Sequence, residues 1–249
     1  MNGARIEEAG LNAMQTQRQV FYDGWVVRLS PGAAKRGRSV NAHFGSTLPL
    51  AAKIAYCERL YATHELPVLF RITPFQQPAG LDAALDAAGY RAFDRTLVQS
   101  AALERPPAVD AVDLDLATPT VAQFVADVGA LRGSRAVEQA AHLERLRETP
   151  LATLRVSAHR DARLVGTAQA ALDAGLVGIF DVHTAASARG SGVATCMVAR
   201  LLTWGWEHGA SGAYLQVTAA NAPALAVYRK FGFATSYEYH YRGKPGACQ

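Results

Sequence analysis

The sequence predicts an α/β chain of the α+β kind, and three observations predict it. Between Gly178 and Tyr228 the chain reads strand, glycine turn, helix, strand, helix. Before Leu103, short strands alternate with short helices in the same way. Between Leu154 and Ala170 two alternating runs flank a polar turn, so part of the sheet is antiparallel.

In chain order, Trp25–Leu29 reads as a strand closed by the turn signal Ser30-Pro31-Gly32, and Leu50, Ala51, Ile54, Cys57, Leu60 and Tyr61 mark a helix starting near Pro49. Pro67–Thr73 is a strand. Leu81, Ala84, Leu85 and Ala88 make a short helix ending at Gly89-Tyr90, and Thr96–Ser100 is the next strand. Consecutive prolines in Arg105–Asp110 resist helix and sheet, which places a linker there.

Beyond it, Thr118 or Thr120 caps a helix through Val121, Phe124, Val125 and Val128, and a second helix spans about Ala136 to Arg147. Leu154–His159 and Leu164–Ala170 form a hairpin across Arg160–Arg163, partnered by the run Leu176–Phe180. After the turn Arg189-Gly190-Ser191-Gly192, the residues Val193, Ala194, Met197, Val198, Leu201, Trp204 and Gly205 fall on one side of a helical wheel, with Gly209 as its stop. Tyr214–Thr218 is a strand, Asn221 caps a helix with Pro223 in its first turn and Gly232 at its end, and Ser236–Tyr241 is the last strand.

The chain has 249 residues, an apolar share of 50% and a net charge of +4. That is enough apolar content for a real core, and too modest and scattered a charge for a nucleic-acid partner, which would need a broad basic face. The cluster Lys35, Arg36, Arg38 reads as a solvated turn. No apolar run is long enough to span a bilayer and the start is too polar for a signal peptide, so no membrane partner and a cytoplasmic location are expected. The three cysteines, Cys57, Cys196 and Cys248, are scattered and lack a histidine cluster, so they read as free thiols and no metal is expected.

The turn before Val193 carries the chemistry. A helix opened by two glycines leaves its first N–H groups unpaired at the positive end of its dipole, where a phosphate can come close, and Arg189 adds a charge. A dinucleotide fingerprint would need a third glycine and an acidic residue farther on, and neither is present.

The order strand, R-G-x-G-x-A, helix, strand, then N-x-x-A-x-x-x-Y-x-x-x-G-F resembles the acetyl-CoA core of the GNAT superfamily of N-acetyltransferases, from about Val165 to Tyr241 and more loosely back to Ala111. The resemblance implies a mixed, mostly antiparallel central sheet flanked by helices, in two GNAT-like halves. Residues 1–105 would form a degenerate half without a pyrophosphate loop, and residues 111–249 the acetyltransferase half, working as a monomer or homodimer.

By the same resemblance, Val182, His183 and Thr184 would offer backbone groups to the pantetheine and acetyl carbonyl of acetyl-CoA. Arg189 and the amides of Gly190, Ser191, Gly192, Val193, Ala194 and Thr195 would hold the pyrophosphate, and Asn221 would touch the CoA arm. Tyr228 would protonate the departing thiolate, a role open to a phenol because its ordinary pKa lies near that of an alkyl thiol (about 10 against about 8.5); a core aromatic with its hydroxyl tied down is the other reading. The acceptor would be the amine of a small molecule or peptide. The chain departs from the family where many members carry a glutamate, since Gln216 cannot take a proton. Asp181 and His183, sharing one face of their strand, are then candidate bases, with Glu238 and His240 as others. A non-catalytic acyl-CoA-binding or sensing protein is the alternative, favoured by Gln216 and opposed by Tyr228.

Overall fold

The computed structural model describes residues 1–109 and 112–246, so Asp110, Ala111 and Cys248 lie outside the described residues. In chain order its elements are α1 (Gly3–Asn12), β1 (Gln19–Tyr22), β2 (Trp25–Arg28), β3 (Val40–Ala42), α2 (Leu50–Thr63), β4 (Leu69–Ile72), α3 (Leu81–Ala87), β5 (Arg91–Ala102) and β6 (Asp115–Ala117). Then follow α4 (Val121–Arg132), α5 (Ala136–Glu148), β7 (Ala152–Arg160), β8 (Arg163–Asp173), β9 (Leu176–Thr184), α6 (Val193–Glu207), β10 (Gly212–Thr218), α7 (Ala222–Arg229) and β11 (Ala234–Gly243).

The chain forms two compact units, each made of two stretches. One is Met1–Ala13 with Val98–Ser236; the other is Met14–Leu97 with the chain from Tyr237 onward. The units therefore exchange their terminal elements, where a division into 1–105 and 111–249 is consecutive.

In the unit holding β6 to β10, the pairs β6/β7, β7/β8 and β8/β9 are antiparallel and β9/β10 is parallel. In the other, β1/β2, β2/β3 and β4/β11 are antiparallel and β3/β4 is parallel. A parallel pair cannot be closed by a hairpin and needs a crossover, and in each unit a helix supplies it: α6 between β9 and β10, α2 between β3 and β4. The mixed, mostly antiparallel architecture expected from the sequence is thus present in both units.

α6 is held by its packed face. Val193, Met197, Val198, Leu201, Trp204 and Gly205 are buried as the wheel requires, joined by Ala199 and Leu202. Each large side chain among them contributes about 2 kcal/mol by burial, more than helix propensity could supply. Gly205 lies against Val177 and Gly166 against Met197 and Val193, with room for no side chain at either position. The opposite face of this sheet is covered by α1, whose Gly10 packs on Gln216 and Tyr214, and by α4, whose Asp127 accepts from Ser157 Oγ at 2.6 Å and Gln123 Nε2 at 2.7 Å. Gly178 is required on that face because Tyr214 crosses it: a Cβ there would stand 2.5 Å from the Tyr214 ring.

The other unit has its core around Trp25, Tyr61, Phe70, Leu81, Leu85 and Tyr90. Its crossover helix α2 starts at Pro49 without a side-chain cap. The turn before α2 is closed instead by Asp23, from the two-residue β1/β2 hairpin. The Asp23 carboxylate accepts from the amides of Thr47 (2.9 Å) and Leu48 (2.9 Å) and from the Thr47 hydroxyl (2.8 Å). It also pairs with the Lys53 ammonium at 3.1 Å, which sits over the Trp25 ring. The Leu48 amide above all, with Thr47 and Lys53, holds the Asp23 carboxyl well below its ordinary value against the opposing pull of desolvation. Lys35 likewise is not simply solvated, since it pairs with Asp94 at 3.1 Å.

Two outcomes follow from this packing. Gly178→Ala should cost roughly 1–3 kcal/mol of unfolding free energy through overpacking against Tyr214, read by denaturant titration. A carboxyl depressed in the folded state contributes stability above its unfolded value of about 4 and loses it as pH falls through the lower folded one. The melting temperature of Asp23→Asn should therefore lie furthest below that of the wild type above about pH 5, and the two should converge in acid.

Candidate active site

The site grows from the way β9 and β10 part. Their parallel register runs from Gly212↔Leu176 to Leu215↔Ile179, yet β9 continues to Thr184 and β10 to Thr218. On its other side β9 carries a bulge. The β8/β9 register passes from Gln169↔Phe180 to Thr167↔His183, so Asp181 and Val182 together face Ala168. Asp181 takes the left-handed conformation that such a bulge needs, at φ +48°. Asp181 and His183 do share one face, as expected. The bulge decides which face, turning Asp181 toward Gln169 and α5 and away from α6.

There the Asp181 carboxylate is surrounded. One oxygen, Oδ2, accepts from Gln169 Nε2 at 2.9 Å, lies 3.2 Å from His142 Nε2 and lies 3.7 Å from an Arg145 guanidinium nitrogen. Thr167 Oγ1 donates to the Asp181 carbonyl at 3.3 Å. Burial opposes its charge, but His142 and Arg145, with His183, outweigh that and hold the Asp181 carboxyl far below its usual range. Burial pushes His183 down, with Arg132 and His142 acting the same way and Asp181 against them, which favours a neutral imidazole.

The glycine turn is built as the sequence requires. Gly190 and Gly192 both adopt left-handed φ values (+76° and +82°), which a side chain would strain, and nothing stands within 4 Å of a Cβ built at Gly190. Gly192 is the N-cap of α6, and among the described residues no side chain caps the helix. The first intrahelical bond is Cys196 N–H to Gly192 O at 2.9 Å, so the amides of Val193, Ala194 and Thr195 precede any helical acceptor. Ser191 Oγ pins the turn by donating to Ala188 O at 2.9 Å. Arg189 is exposed. A second guanidinium joins it: Arg160, from the end of β7, donates to Ser191 Oγ at 3.1 Å. An open left-handed turn, unpaired amides and two guanidiniums fit a diphosphate.

Asn221 caps α7, its Oδ1 accepting from Ala224 N–H at 3.2 Å. The Tyr228 ring packs edge-on against Phe233 at 6.0 Å between centroids. Its hydroxyl bonds to none of the described residues, so it is not the tied-down core phenol of the other reading. Burial pushes its pKa up to about 12. Glu238 and His240 belong to the other compact unit, where they pair with Arg95 and Asp82. Cys196 is half-buried and its thiol is pushed up by burial, which suits a packing role.

Sequence reasoning missed His142, Arg145, Gln169 and Arg160. Arg160 was in view as a hairpin residue, but its reach to Ser191 depends on the β7/β8 turn lying beside α6. His142 and Arg145 stand on a mixed face of α5, and only the packed helix shows them meeting Asp181.

The family model described as "Probable histone acetyltransferase Rv0428c C-terminal" matches residues 4–242. The chain is 26% identical over 245 residues to the uncharacterized N-acetyltransferase YobR of Bacillus subtilis, covering 96% of this chain and 98% of that one. Among solved structures, a GCN5-related N-acetyltransferase from Kribbella flavida aligns with a TM-score of 0.70 at 19% identity, over 98% of this chain and 95% of that one. A tandem GNAT protein from the clavulanic acid biosynthesis pathway aligns with a TM-score of 0.60 at 20% identity, over 77% of this chain and 68% of its own. Among the described residues no helix is long and apolar enough to cross a membrane.

Proposed function

The chain belongs to the family of the Rv0428c C-terminal acetyltransferase domain and is a GNAT acyltransferase, and on that premise we propose that it moves the acetyl group of acetyl-CoA to a primary amine. One observation carries the proposal: a glycine turn with unpaired amides opens α6 at the edge where β9 and β10 part. GNAT proteins in general take acetyl-CoA, and it supplies an activated acyl group with a thiol as leaving group.

The residues of this chain would then act as follows. Amides of Gly190 through Thr195, with Arg189 beside them, hold the diphosphate at the positive end of the helix dipole. The backbone of Val182, His183 and Thr184, freed from pairing with β10, binds the pantetheine arm and the acetyl oxygen. The Asn221 side-chain amide supports the same arm.

Tyr228 donates a proton to the departing sulfur. Its hydroxyl is unengaged and burial keeps it neutral, so the proton is present at any working pH, and the same burial makes a thiolate a better acceptor. Asp181 contributes as a fixed negative charge under the approach of an ammonium, since a carboxyl held so low makes a poor proton acceptor. His183 stays neutral beside it. The family description speaks of histone acetylation, and a lysine side chain falls within the amine class proposed here.

The test is thiol release from acetyl-CoA in the presence of a panel of amines. Acetyl transfer predicts amine-dependent release, and Tyr228→Phe should lower kcat by about a hundredfold or more with the KM for acetyl-CoA nearly unchanged. Absence of amine-dependent release from the wild type, or a Tyr228→Phe enzyme as fast as the wild type, would contradict it.

A further inference from the structure

At Gln216, where the resemblance leads one to look for a carboxylate, the chain offers no proton acceptor. An acceptor amine arrives largely as an ammonium at neutral pH and cannot attack until a proton is removed. The polar cluster on the roofed face of β9 contains the groups that could remove it, and their geometry separates them.

His142 projects from α5 with its ring set edge-on to Phe124, 6.2 Å between centroids, and its Nε2 3.2 Å from Asp181 Oδ2. Asp181 is itself fixed on three sides, by the left-handed bulge, by the Gln169 amide at 2.9 Å and by Arg145 at 3.7 Å. The other titratable or charged groups of this cluster are His183 on β9, Arg132 and Asp127 on α4 and Arg155 on β7. Asp127 is engaged by Ser157 and Gln123, and burial pushes the Arg155 guanidinium down. His142 Nδ1 bonds to none of the described residues. At 3.2 Å His142 Nε2 is in ion-pair range of the Asp181 carboxylate without a hydrogen bond to it, and an imidazole beside a carboxylate gains a counter-ion once charged while its other nitrogen can take a proton.

From this geometry we infer that His142, oriented by Asp181, accepts the proton of the acceptor ammonium, in place of the carboxylate that Gln216 lacks. The inference rests on the acetyl-transfer reading above. Asp181 is then a positioning residue rather than the acceptor. His183 is the weaker candidate because no described residue bonds its ring and its buried setting disfavours the charged form it would have to adopt.

The proton balance closes. The ammonium loses two protons as its nitrogen bonds to the acetyl carbon and the carbon–sulfur bond breaks. One leaves through His142 to solvent. The other makes good the proton that Tyr228 gives to the sulfur, so the products are amide, free thiol and one released proton.

The experiment compares two acceptors, an alkylamine that is protonated at the assay pH and an aromatic amine that is neutral there, with wild type, His142→Gln, Asp181→Asn and His183→Gln. CoA binding by calorimetry serves as the control that each variant is folded. The inference predicts a loss of about a hundredfold in kcat/KM for the alkylamine in His142→Gln, with the acidic limb of the pH profile displaced upward to the one set by the amine's own ionisation. With the aromatic amine, His142→Gln and Asp181→Asn should stay within a few-fold of the wild type, a split that mere loss of packing would not produce. If His142→Gln leaves the acidic limb where the wild type has it, or if His183→Gln displaces it instead, the inference is overturned. Should His142→Gln fail to bind CoA, Asp181→Asn decides by the same split between acceptors: equal losses with both amines overturn the inference. Failure of the wild type with both amines would refute the acetyl-transfer reading itself and is distinguishable from either result.

Discussion

The parallel pairing of β9 with β10 is the constraint from which the rest of the site follows. Two parallel neighbours must be joined by a crossover, so α6 has to begin at the edge where β9 ends. That geometry brings the positive end of a helix dipole to the edge where the two strands part after Leu215 and Ile179. The bulge at Asp181 breaks the register of β9 with β8 just beyond that point. One backbone arrangement therefore sets up a helix-opening glycine turn, a stretch of strand free of β10 and a carboxylate turned toward the covering helices.

The two compact units show how the same crossover serves different ends. A helix N-terminus favours negative charge by roughly 0.3–1 kcal/mol at exposed positions. In the unit containing α2 the turn leading into the helix is closed from within, by Asp23 on the Thr47 and Leu48 amides just before the Pro49 N-cap. In the unit containing α6 the helix opens on left-handed glycines, and no side chain among the described residues caps it. The turn before α2 thus holds one of the protein's own carboxylates.

What the sequence made legible were features fixed by local chemistry. The ends of α6 and α7 follow from Gly192, Gly209, Asn221 and Gly232, whose backbone or capping preferences act within a few residues. The glycine turn and the Tyr228 position were readable for the same reason. Features that depend on tertiary contact were not. α1 was missed because its buried side is made of Ile6, Glu7, Ala9 and Gly10, too small and polar for a clear apolar stripe. β1 was missed although Asp23-Gly24 is a hairpin signal, because its strand is only four residues long. The bulge falls on an aspartate rather than a glycine, so nothing in the strand announced it. The Asp181 cluster joins residues from α5, β8 and β9, and the strand pattern alone left Asp181 and His183 as bare candidates with no way to rank them.

The central claim is that the backbone amides opening α6 grip the diphosphate of CoA. Amide hydrogen exchange with and without CoA tests it most directly. The account predicts slowed exchange across Gly190–Thr195 on CoA addition, with pantetheine lacking the diphosphate giving no such slowing, and no change at Thr47 and Leu48, whose amides Asp23 already holds. Unchanged exchange across Gly190–Thr195 at saturating CoA, or slowing at Thr47 and Leu48 in its stead, would contradict it.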